Sequence, residues 1–124
     1  VPWFKVDDTM HSHPKARRAS LAAVGLWTLC GTHSMAYKLD GFVPDWVVGD
    51  YPSGKRLAAE LVRVGLWANA IRTDEAGDEP GYQFHDWLHY QQSAEEIERD
   101  RQHNRERQRN FRKKLREGKP KESG

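Results

Sequence analysis

Apolar and polar positions alternate with helical period over Lys55 to Val64, where Leu57, Ala58, Leu61, Val62 and Val64 fall on one arc and Lys55, Arg56, Ala59, Glu60 and Arg63 on the other. That spacing predicts an amphipathic helix, and Gly65 is placed to end it. Trp67 to Arg72 and Tyr82 to Trp87 then carry apolar and aromatic residues in partial alternation, which predicts two short strands. The intervening DEAGDEPG, Asp74 to Gly81, reads as a loop. Upstream, LAAVGLWTLCGTHSMA is apolar on nearly all sides and predicts a buried central helix capped by Ser20.

Shorter elements fill the remainder. WFKVDD reads as an extended segment, and a first short helix is expected near Pro14, because proline is favoured at the first helical position. DGFVP reads as a turn leading to a short helix at about Asp45 to Gly49, and DYPSG as a tight connection with Ser53 as N-cap. VGLW occurs at Val24 and again at Val64, but the flanking residues differ and no repeat is inferred. Gly25, inside the first copy, costs its helix about 1 kcal/mol relative to Ala unless a neighbouring backbone comes close. The tryptophans, Trp3, Trp27, Trp46, Trp67 and Trp87, fall about one per element and are expected to anchor the core.

Together these elements predict a mainly α fold with a small β-hairpin: a winged helix-turn-helix domain over residues 1 to 92. A long basic helix follows over residues 93 to 117, and then a flexible tail over residues 118 to 124. Ser93 and Glu96 make a capping box for that helix. It has too few large apolar residues, Ile97, Phe111 and Leu115, for a coiled-coil seam.

Charge separates the two parts of the chain. The formal net charge of +2 conceals nine Lys and Arg against eleven Asp and Glu up to Ser93, and eleven against seven from Ala94 onward. Between Arg99 and Arg116 there are nine basic and two acidic residues, a density that points to a polyanion. Arg101, Arg105, Arg109 and Lys113 repeat at four-residue spacing, and each like-charge pair opposes the helix by roughly 0.2–0.5 kcal/mol. Such a helix should fray alone and firm up on phosphates. The hairpin loop carries four acids and no base, so it is expected to face away from DNA or toward a basic protein surface.

The chemistry-bearing residues narrow the function. The single cysteine, Cys30, lies in an apolar run and reads as core, and no cysteine-based zinc module can be assembled from it. His11 with His13, and His85 with His89, lack the companions of a metal motif, while His85 and Asp86 form no nucleophile motif with a serine. No glycine-rich phosphate loop is present, so no enzyme, cofactor or metal is expected. No run approaches a membrane span and no signal pattern is seen, which leads to the expectation of a cytoplasmic protein. The residues expected to bind DNA are Lys55, Arg56, Ala59 and Arg63 on the amphipathic helix. With them go Arg101, Arg105, Arg109, Arg112, Lys113, Lys114 and Arg116 on the basic helix.

The landmarks WFKVDD, HSHPK at His11, AVGLW at Ala23, DGFVP at Asp40, GLW at Gly65 and GYQFHDW at Gly81, followed by Tyr90 and Gln91, resemble a family of small helix-turn-helix proteins encoded by actinobacterial phages. Members of that family resemble in turn the N-terminal winged-helix domain of phage replisome organisers and DnaD-like replication initiators. The resemblance implies binding to double-stranded DNA in replication initiation or transcriptional control, within the bacterial host cytoplasm. An alternative of a different class is an interaction module that recruits a replication or host protein through the acidic wing.

Overall fold

The computed structural model describes residues 2 to 118, and the expected tail beyond residue 118 lies outside them. The chain divides into two units, one ending at Ser93 and one beginning at Ala94. The first is mixed α/β. Its order is α1 (Pro14–Arg18), α2 (Leu21–Ala36), β1 (Phe42–Pro44), α3 (Asp45–Gly49), α4 (Gly54–Val64), β2 (Trp67–Asp74), β3 (Gly77–Phe84) and α5 (Trp87–Tyr90), with a 3-10 turn at Met10–Ser12 before α1. The described residues of the second unit form helix α6 (Ala94–Gly118).

Local chemistry sets these boundaries. Pro14 opens α1, and His13 Nδ1 accepts from the Lys15 amide at 3.2 Å. Ser20 caps α2, its Oγ accepting from the Ala23 amide at 3.1 Å. Gly65 ends α4 at φ 89°, in the left-handed region where a glycine meets no Cβ penalty. Ser53 departs from expectation. It stands at the N-cap of α4, but at φ 55° its side chain makes no capping hydrogen bond.

The sheet differs most from the sequence expectation. Phe42 to Pro44, expected as a turn, form a strand, making a three-stranded antiparallel sheet of order β1-β3-β2. Three residues are too few to show a period, and the partners Gln83, Tyr82 and Gly81 lie some forty positions away. The expected eight-residue loop is mostly strand as well. Pairing runs from Trp67 opposite Phe84 to Asp74 opposite Gly77, so only Glu75 and Ala76 turn. Asp74 Oδ1 holds the turn by accepting from the Ala76 amide at 2.8 Å, and Gly77 supplies φ 118°. Pro80 is tolerated because β1 pairing stops at Gly81, leaving no ladder on that side that needs its missing N–H. At the other end β3 stops at Phe84, and Trp87 begins α5 rather than ending a strand.

The core of the first unit gathers Ala23, Leu26, Cys30 and Met35 from α2, Val43 from β1, Val47 and Val48 from α3, and Leu57, Ala58 and Leu61 from α4. Aromatic rings close one end, with Phe84 centred 5.3 Å from Trp67 and 5.2 Å from Trp87. Two expectations are corrected here. Helix α2 is buried on one side only, Leu21 being 91% exposed, and only Trp67 and Trp87 are fully core tryptophans. Trp27 is half-buried, whereas Trp3 is 77% and Trp46 63% exposed. Among the described residues no helix is long and apolar enough to cross a membrane.

Candidate nucleic-acid interface

Helix α4 presents the predicted face. Lys55, Arg56, Ala59 and Arg63 are exposed, while Leu57, Ala58 and Leu61 are buried beneath them. From Arg56 to Arg63 is about 10 Å along the axis at roughly 1.5 Å per residue, with Ala59 between them as a low point on the surface. A helix of this width enters a major groove of about 12 Å, and arginine suits bidentate contact with guanine.

Two neighbours adjust the charge of this face. Glu60, the one acid of α4, accepts from the Ser20 amide at 2.6 Å and the Ser20 hydroxyl at 3.0 Å. Those hydrogen bonds, assisted by Arg63 and Arg56, hold its carboxyl below the usual carboxylate range. The acid is thereby committed to the start of α2. Lys55 Nζ lies 3.3 Å from Asp45 Oδ2, and both groups keep solvent access, so this pair exchanges readily for a phosphate.

The sequence reading passed over the bases of α1. This helix packs against α4, and Arg17 and Arg18 are exposed on it. The run PKARR carried the signal: three bases in four residues at a proline-started short helix.

Acids of the hairpin are bonded within it and to α3. Thr73 donates to Asp78 Oδ1 at 2.8 Å, Asp74 accepts from Ala76, and Glu79 Oε1 accepts from the Trp46 indole of α3 at 3.0 Å. Glu75 stands exposed at the tip. On β2 of this hairpin Ile71 is 69% exposed, so the hairpin offers acids together with apolar surface.

Helix α6, described by itself, carries Arg101, Arg105, Arg109, Arg112, Lys113, Lys114 and Arg116, all exposed. Residues from Arg99 to Glu117 are exposed throughout, including Phe111 and Leu115. Arg101 lies 3.6 Å from Glu98, an interaction within one turn.

Elsewhere, burial pushes the Cys30 thiol up to about 12, so it stays protonated and inert near neutrality. His85 Nε2 lies 3.1 Å from Asp86 Oδ2, and His11 Nδ1 lies 3.0 Å from the Asp8 carbonyl. Among the described residues no three His, Cys, Asp or Glu side chains gather as metal ligands. No family model matches the chain, and no curated protein or solved structure matches it either.

Proposed function

We propose that this chain is a sequence-preferring double-stranded DNA-binding protein without catalytic activity: a winged helix-turn-helix body followed by a basic helix. The observation that carries the reading is the order α2, β1, α3, α4, β2, β3 with a β1-β3-β2 sheet, in which the helix before the hairpin bears Arg56, Ala59 and Arg63 on its open face. In a winged helix that helix reads the groove and the hairpin is the wing. Affinity comes mainly from the phosphates met by α6, and sequence preference from α4. The likeness to actinobacterial phage helix-turn-helix proteins supports a role in replication initiation or transcriptional control, in the host cytoplasm.

Fluorescence anisotropy with labelled duplexes over a salt series tests this division. Neutralising about six phosphates gives a slope of log K against log salt near −5. Changing Arg101, Arg105, Arg109 and Lys113 to Gln should flatten that slope by about 3 to 4. The double change Arg56→Ala and Arg63→Ala should narrow the gap between target and random duplex by roughly tenfold or more. A slope near zero for the unaltered chain overturns the proposal. Footprinting on the source genome separates an origin from a promoter.

One observation favours a second reading. Trp46 is largely exposed and its indole donates to Glu79, which sets an aromatic ring beside an acid at the surface, an arrangement suited to a basic protein partner.

A further inference from the structure

Helix α4 has a neighbour on each side of its open face. On one side α1 packs against it, and both ends of that contact are anchored. Lys15 lies over the end of α4, its Cε 3.3 Å from where a Cβ on Gly65 would stand. Ser20, just beyond α1, donates to Glu60 near the middle of α4. The segment from Lys15 to Ser20 therefore runs back along α4 from Gly65 to Glu60. Arg17 and Arg18 fall between those two anchors, and both are exposed.

The helical period says which bases of α4 share that side. At about 100° per residue Arg56 stands about 40° and Arg63 about 60° from Glu60, whereas Lys55 stands about 140° away. Lys55 instead meets Asp45 of α3, at 3.3 Å. The two flanks of the face differ in charge. Helix α3 and its C-cap carry Asp45 and Asp50 and no base. The α1 flank carries Arg17 and Arg18, and neither has an ion-pair partner among the described residues. Glu60, the acid on that side of α4, is already taken up by Ser20.

We propose that Arg17 and Arg18 form the main phosphate contact of the first unit, holding the DNA strand that borders the groove entered by α4. Packed helices lie about 8–10 Å apart and the major groove is about 12 Å wide, so a helix alongside the one in the groove stands over its bordering backbone. In a helix-turn-helix the helix before the reading helix ordinarily crosses that backbone. Here that helix is α3, whose acids oppose phosphate, and the basic flank on the other side of α4 takes its part. Arginine suits the task, since its planar fork matches phosphate oxygens. The role given to Arg17 and Arg18 rests on α4 entering the groove.

Anisotropy of labelled target and random duplexes with the full chain, over a salt series, tests that role. The double change Arg17→Gln and Arg18→Gln should flatten the slope of log K against log salt by about 2, at about 0.9 per phosphate. It should weaken target and random duplexes alike, by roughly tenfold to thirtyfold at 0.15 M salt. Arg72→Gln, which removes an exposed base from the hairpin, should leave the slope unchanged. With the slope of the unaltered chain near −5, three results overturn the phosphate role: no flattening in the Arg17 and Arg18 variant, a loss confined to the target duplex, or a flattening of about 1 with Arg72→Gln, which would make the slope follow net charge alone. A slope near zero in the unaltered chain overturns the DNA reading itself, and this role with it.

Discussion

At the level of single residues, glycines show how closely this small body is fitted. Gly54, the buried first residue of α4, donates its amide to the Tyr51 carbonyl at 2.9 Å, and a Cβ there would run into the Val48 carbonyl oxygen of α3. Backbone oxygen cannot rotate away as a side chain can. Gly54→Ala should therefore destabilise the body by about 1–3 kcal/mol, by moving α4 off α3. Gly25 is the opposite case: a Cβ on this exposed α2 position meets nothing within 4 Å. Gly25→Ala should stabilise by about 0.5–1 kcal/mol, because it removes backbone freedom from the unfolded chain at no packing cost. Urea unfolding of both variants checks the pair. Equal effects would mean that neither position behaves as its surroundings require.

Between elements, the tie from Glu60 to Ser20 joins α4 to the start of α2 and removes an acid from the arginine face. Because the folded carboxyl is held below its ordinary value, its contribution to stability is present above that value and lost as pH falls through the folded pKa. Glu60→Gln should lower stability at pH 7, and the gap to the unaltered chain should close in acid, at and below the usual carboxylate range. Urea unfolding at pH 7 and pH 3 measures it. A gap unchanged from pH 7 to pH 3 would assign the effect to packing instead. The sequence foretold α4 itself, since Leu57, Leu61 and Arg63 obey one helical period, and it foretold the Ser20 and Gly65 caps because those depend on neighbours in the chain. It could not foretell β1, whose three residues gain meaning only from β3. Nor could it foretell that Asp78 and Glu79 lie in a strand, where cross-strand pairing outweighs a composition typical of loops. Of the site, the exposed residues of α4 were legible and the Glu60 tie was not, since a contact across forty residues leaves no trace in local pattern.

For the whole molecule, the central fact is that bases and acids are sorted into different elements while the net charge stays near zero. Nine bases against two acids mark the middle of α6, and the hairpin concentrates acids at Asp74, Glu75, Asp78 and Glu79. If DNA is held by α4 and α6, repulsion from the hairpin depends on its distance from phosphate relative to the screening length, about 8 Å at 0.15 M salt and 30 Å at 0.01 M. A hairpin turned away from the duplex lies beyond the first length and within the second. Changing Asp74 and Asp78 to Asn and Glu75 to Gln, and keeping Glu79 because it holds Trp46, should alter DNA affinity less than about twofold at 0.15 M yet raise it several-fold at 0.01 M. Anisotropy at the two salt concentrations separates the cases. A tenfold gain at 0.15 M would place the acids directly against phosphate, and the wing would then act as a brake on binding rather than as a surface left free for a protein.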